Sequence, residues 1–162
     1  MTFDKMPRIA VACFQRKVSG CVVFKQRSAR SKVYITVALK LRGKDGEHGF
    51  HIHTSGDMRA ADCSKCGGHW NPKGSQHGSR EQNAFESHAG DLGNVMFVDG
   101  ECSERFHTSK ITLFGDESIL GRSIVLHKDR DDLGQGTGPK AHDSKRTGNA
   151  GARLGCAVIG IV

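Results

Sequence analysis

Aromatic residues are scarce in this 162-residue chain, at 6% of positions with a single Trp and a single Tyr. A basic face that stacks bases needs aromatics interleaved with its cations, so this composition argues against a nucleic-acid-binding domain organised by structural zinc. No apolar run is long enough to cross a bilayer, which argues against a membrane span. The opening stretch MTFDKMPRIA, with Asp4 and Pro7, lacks the apolar core of a secretory leader, and no Asn-x-Ser/Thr acceptor occurs. The expected compartment is therefore the cytoplasm. In that reducing setting six cysteines do not make a disulfide scaffold, and most should stay thiols.

Positive charge and glycine are plentiful. Twenty-four Lys and Arg against 17 Asp and Glu give a formal net charge of +7, spread along the chain rather than gathered in one stripe. Such a balance fits a solvated basic surface, or an enzyme that draws in a small anionic substrate. The 21 glycines favour many turns and short strands over long helices. With 36% hydrophobic residues, residues 1–162 suffice for a single domain around one core.

Short apolar runs at Ile9–Phe14, Cys21–Phe24 and Val33–Leu41, the last with a clean period of two, read as strands joined in hairpins. Further strands are expected at Gly49–His53, Asn94–Val98, Lys110–Phe114, Gly121–His127 and Gly155–Val162. Eight short antiparallel strands point to an all-β sandwich or flattened Greek-key barrel. Two aperiodic, Gly- and charge-rich stretches interrupt them, at 54–93 and 128–152. Loops of that length are usually functional or disordered.

Seven of the nine histidines stand in settings that look like ligand positions or their neighbours. His51 and His53 are two apart on a strand, so their side chains leave one face and can grip one ion. His69, His77, His88 and Asp91 fall in the first long loop, and three imidazoles with a carboxylate make up a tetrahedral zinc site. A loop so long gains its order from the ion, which couples folding to metal binding. His127, ending a strand, offers a further nitrogen beside His51 and His53. His107 and His142 read as plain surface residues. Cys13, Cys21 and Cys102, in or beside strands, read as inert small residues.

The segments Gly49-Phe50-His51-Ile52-His53, Gly68-His69-Trp70-Asn71-Pro72, His88-Ala89-Gly90-Asp91-Leu92-Gly93-Asn94, His127 with Asp131-Asp132-Leu133-Gly134, and Thr147-Gly148-Asn149-Ala150-Gly151-Ala152-Arg153-Leu154 closely resemble the Cu/Zn superoxide dismutases, over a stretch from about Arg8 to Val162. The resemblance implies an immunoglobulin-like eight-stranded barrel that converts superoxide to dioxygen and hydrogen peroxide. Copper would alternate between Cu(II) and Cu(I), and zinc would be structural. It implies copper on His51, His53, His69 and His127, and zinc on His69, His77, His88 and Asp91. The imidazolate of His69 would then be shared between the metals.

By the same resemblance, Asp131 hydrogen-bonds His51 and His77, His48 supports the site without binding metal, and Arg153 holds the anion beside copper. Thr147, Arg146 and Lys145 would line the channel, and Cys63 and Cys156 would form the intrachain disulfide. A homodimer is implied through Val158, Ile159 and Ile161 near Gly56, as is a copper chaperone as donor. The chain departs from the pattern in adding Cys66, expected to be a free thiol. It departs again in the loop 128–152, which is about three residues longer than usual, with Asp143 replacing an acidic pair. A chaperone resembling these enzymes would carry an extra metal-transfer domain, and a catalytically dead relative would lack a ligand or the arginine; neither description fits.

Overall fold

Hairpin sequences dictate the first sheet. The computed structural model describes residues 6–162, so the first half of the opening stretch MTFDKMPRIA lies outside it. Strands β1 (Arg8–Gln15), β2 (Val18–Gln26) and β3 (Val33–Leu41) pair antiparallel in sequence order. Their period of two sends Ala10, Ala12, Phe14, Val22, Phe24, Ile35, Val37 and Leu39 to one face, where they are buried. The second sheet contains β4 (Gly46–His53), β5 (Asp91–Phe97), β7 (Ser123–His127) and β8 (Arg153–Val158). With β6 (Glu101–Thr108) and β9 (Gly160–Ile161), the sheet orders are β6-β3-β2-β1-β9 and β5-β4-β7-β8. Crossing connections bring the sequence-distant strands β3 and β6 together, and likewise β4 and β7, which is Greek-key order. Phe50, Ile52, Leu92, Val95, Phe97, Ile124 and Leu126 meet the first sheet in one core.

Three expectations are corrected. The sixth strand is β6 (Glu101–Thr108), whereas Lys110–Phe114 forms only an isolated bridge between Thr112 and Ser118. That segment caps the end of the core with Ile111, Leu113 and Phe114. Side chains satisfy its backbone: Gln26 Oε1 accepts from Leu113 N at 2.6 Å, and Arg8 donates to Leu113 O at 2.7 Å. β6 escapes a hydrophobicity reading because Glu104 stands among its partly covered positions. The final strand divides: β8 pairs with β7, the core residue Ile159 lies between, and β9 (Gly160–Ile161) crosses to pair with β1. Ile159 therefore offers no surface, whereas Val158 and Ile161 stay exposed.

Cysteines supply the third correction. Cys13 and Cys21 are bonded, not inert: they stand opposite each other in the β1–β2 ladder, with Cα atoms 4.1 Å apart. Cys63 and Cys156 form a second disulfide that ties the first long loop to β8. Cys66 and Cys102 are free and buried, and Cys66 packs against Cys63, Val125 and Cys156. Four of six cysteines are thus paired, against the expectation of thiols. The stretch 128–152 also carries a short helix, α1 (Ala141–Thr147), stopped at Gly148 with φ 71°. Among the described residues no helix is long and apolar enough to cross a membrane.

Candidate metal centre

Alternation along β4 divides its residues between core and site. Phe50 and Ile52 point into the barrel, and His51 and His53 point to the opposite face, which the two long loops roof over. All four are fully or almost fully buried. A bulge between Gly49 and His51 lets β5 begin at Asp91, directly across from His51. A second irregularity at the end of β7 sets His127 opposite Arg153 on β8. The first loop returns to the sheet at His69, which bridges to His53.

The imidazoles gather around His69. Its ring centroid lies 4.1 Å from that of His51, 5.0 Å from His53, 5.2 Å from His77 and 5.3 Å from His88. Ligand atoms of His51, His53, His69 and His127 lie within 4.8 Å of one another. On the other side, Asp91 Oδ1 is 2.9 Å from Nδ1 of His69, 2.9 Å from Nδ1 of His77 and 3.2 Å from Nδ1 of His88. A tetrahedral zinc with bonds of ~2.0–2.1 Å sets its ligand atoms about 3.3 Å apart, close to these edges. His51 also falls near the Asp91 group, but its Nε2 is taken by Asp131. His88, 3.2 Å from His69 Nδ1, completes that group better.

Hydrogen bonds choose the tautomers. Asp131, fully buried, accepts from Nε2 of His51 at 2.7 Å and Nε2 of His77 at 2.8 Å. In their neutral forms both therefore carry the lone pair on Nδ1, and among the described residues both Nδ1 atoms are buried without a hydrogen-bonding partner; His77 Nδ1 is near Asp91 but misaligned for a hydrogen bond. A buried, unpartnered nitrogen beside a carboxylate suits a cation. His53 Nδ1 donates to Gly67 O at 2.8 Å and His127 Nδ1 to Gly151 O at 3.1 Å, which frees both Nε2 atoms, themselves 3.2 Å apart. His48 Nδ1 reaches His127 O at 2.9 Å and fixes the backbone of that strand end. Asp91 Oδ2 accepts from the amides of Gly78 and His88, which turns Oδ1 toward the imidazoles.

The same burial keeps the first group ready to bind. Desolvation pushes His51 and His53 well below the ordinary imidazole range and lowers His127 to about 4, so all three are neutral near pH 7. Desolvation likewise lowers His69, partly offset by Asp91. Burial opposes the charged form of His77, but Asp131 and Asp91 outweigh it and raise the group to about 9. Burial would raise the Asp91 carboxyl, yet the imidazoles of His69, His77 and His88 hold it far below the carboxylate range. The charged groups, Asp91 and His77, thus sit at one end of the cluster and the neutral imidazoles at the other. Gly148 makes this packing possible: a Cβ there would collide with Asp131 Oδ1 and His77 Nε2.

Above the first group lies an open cleft of about 1080 Å³, reached by His53, His69, His127, Lys145, Thr147 and Arg153. Arg153 is half-buried and donates at 2.7 Å to both Cys63 O and Gly67 O, so its guanidinium is fixed before any ligand arrives. Lys145, Arg146 and Thr147 on α1 are exposed, and Arg146 pairs with Asp143 at 3.0 Å. His107 and His142 are exposed, apart from the histidine cluster. The cluster therefore brings together every ligand residue expected from sequence. The tautomer-setting carbonyls of Gly67 and Gly151 carry no side-chain signal and could not have been found there.

Residues 18–159 match the family model for copper/zinc superoxide dismutase. The superoxide dismutase [Cu-Zn] of Schizosaccharomyces pombe is 45% identical over 154 residues, 94% of this chain and 96% of that one. A putative superoxide dismutase [Cu-Zn] of Orgyia pseudotsugata multicapsid polyhedrosis virus is 46% identical over 154 residues, 94% of this chain and 97% of that one.

Proposed function

The chain belongs to the copper/zinc superoxide dismutase family, and from that premise we propose that its two clusters are a copper site and a zinc site sharing the ring of His69. Its reaction is the dismutation of superoxide to dioxygen and hydrogen peroxide, with copper and zinc as cofactors. Copper would be held by His51, His53, His69 and His127, and zinc by His69, His77, His88 and Asp91. The observation that carries this reading is the central position of His69, whose Nδ1 faces Asp91 and His88 and whose other nitrogen is left for the histidines of β4 and β7. Copper, when bound, would supply the one-electron redox chemistry that the two half-reactions need. Zinc, when bound, would supply a +2 charge that balances Asp91 and would help hold His69.

The chain's own residues do the rest. The fixed guanidinium of Arg153 beside His127 holds an anion in the cleft through charge-assisted hydrogen bonds. His69 Nε2 takes up a proton in one half-reaction and delivers it to the departing peroxide in the other; solvent supplies the second proton. Thr147 lines the cleft beside His127 and Arg153, at the approach to the copper group. Lys145, and Arg146 to the extent that Asp143 leaves it free, extend positive potential outward and steer superoxide in. Raising ionic strength from ~0.01 to ~0.2 M is then expected to slow turnover by about 3- to 10-fold as the field is screened. A rate flat across that range would remove the steering claim.

Residues 1–162 would form one such domain, acting as an antioxidant in the cytoplasm. The exposed Val158 and Ile161, with Gly56 packed under Val158, support pairing with a second copy through the C-terminal strands. Light scattering of the holoenzyme is expected to give a dimer. A copper chaperone is the donor that fits ligands so deeply covered. The function as a whole is tested by metal analysis with a dismutation assay: one copper and one zinc per chain, and superoxide decay far above the spontaneous rate. A chain loaded with both metals that leaves that decay unchanged would overturn it.

A further inference from the structure

A buried ammonium lies under the metal cluster. Lys110 follows β6 and is only 9% exposed, and each of the three donors of its Nζ has an acceptor. They are Ser87 Oγ at 2.7 Å, Ser79 O at 3.1 Å and Asp91 O at 3.1 Å. Ser87 Oγ donates onward to Ser79 O at 3.1 Å, so one charge closes both ends of the segment 79–91. The acceptors bracket the cluster: Ser79 is two residues after His77, Ser87 is one before His88, and the third acceptor is Asp91 itself. Of the four proposed zinc ligands, His88 and Asp91 therefore hang from backbone pinned by Lys110, and His77 stands two residues before it.

The surroundings make this arrangement selective. Residues 79–90 lie in turns and irregular backbone at the end of the first long loop, before β5, with no strand or helix to hold them. Burying an ammonium without compensation is expensive, and here three oxygens compensate it only while the segment keeps its native path. An apolar residue at the same place would pack but would hold none of these oxygens. We propose that Lys110 is the positioning residue of the zinc site, an internal cross-link that sets His77, His88 and Asp91 in coordinating geometry before metal arrives. The proposal rests on the assignment of Asp91 as a zinc ligand.

Lys110→Met keeps the stem and removes the charge. It is expected to lower zinc affinity by about 10–100-fold, the usual effect of losing a residue that orients a ligand, and to broaden the visible spectrum of the cobalt-substituted site. Copper affinity should stay unchanged. In the metal-free chain, amide exchange should speed up within 79–91 and not in β1–β3. Lys110→Arg, which keeps the charge, should recover part of the affinity. Ser87→Ala removes a single acceptor, should fold even if Lys110→Met does not, and is expected to weaken zinc several-fold. A merely structural lysine would lower the stability of the metal-free chain and leave zinc affinity and the cobalt spectrum untouched; that result, in either variant, overturns the proposal. Asp91→Ala is the control on the premise: if it bound zinc as tightly as the parent, the ligand assignment itself would fall, and the proposal with it.

Discussion

Replacing His51 by alanine is expected to strip the copper site and leave the zinc site loaded. His51 offers a buried Nδ1 with no hydrogen-bonding partner among the described residues, while its Nε2 is bonded to Asp131 at 2.7 Å. Deleting it removes a donor atom outright, so copper affinity should fall by at least ~100-fold, the upper end of what an orienting residue alone contributes. Dismutation should fall with copper occupancy. Zinc should remain, because Asp91 Oδ1 and the Nδ1 atoms of His69, His77 and His88 still converge.

Asp131→Ala gives the contrasting result. Its carboxylate accepts from both His51 and His77, so its loss should weaken copper and zinc together, by about 10–100-fold each. Metal competition and a dismutation assay on the two variants would separate a ligand from a tie between sites. If His51→Ala kept both its copper and its turnover, His51 would not be a ligand.

How much of this was legible in the sequence depends on where each side chain's information lies. The period of two in Val33–Leu41 reflects a strand with one buried face, and β3 follows it to the residue. Lys110–Phe114 shows the same alternation for another reason: Ile111 and Leu113 plug the barrel end while side chains satisfy the backbone, a pattern hydrophobicity cannot tell from a ladder. β6 was hidden because an edge strand with Glu104 and Thr108 on its inner side has little apolar signal. The histidines were legible because imidazoles at these spacings have few other uses. The Cys13–Cys21 bond was not, since it depends on the register of the β1–β2 hairpin and residue type does not report register. Lys110 looked like one more strand residue, its role visible only where Ser79, Ser87 and Asp91 meet it.

The two disulfides should differ sharply in what they contribute. On the chain-entropy scale, bridging Cys63 to Cys156 across 93 residues stabilises by ~4–5 kcal/mol, and bridging Cys13 to Cys21 across 8 by ~2.5 kcal/mol. At a slope of ~2 kcal/mol per molar urea, Cys63→Ser with Cys156→Ser should lower the unfolding midpoint by ~2 M, and Cys13→Ser with Cys21→Ser by about half that. Function separates them further. Cys63 O is one of the two carbonyls that hold Arg153, and Cys156 lies on the strand that Arg153 begins. Losing the long bridge should therefore lower turnover even under conditions where the chain stays folded. The hairpin pair lies on the outer face of the other sheet, away from the cleft, and its loss should leave turnover unchanged. Glutathione should also distinguish the two: Cys13 is exposed, Cys63 is 2% exposed, and reduction needs an approaching thiolate. The short bridge should thus open first, with full dismutation retained until the long one follows. Equal midpoint shifts would contradict the loop-length scaling, and turnover lost as the short bridge opens would contradict the anchoring of Arg153 through Cys63.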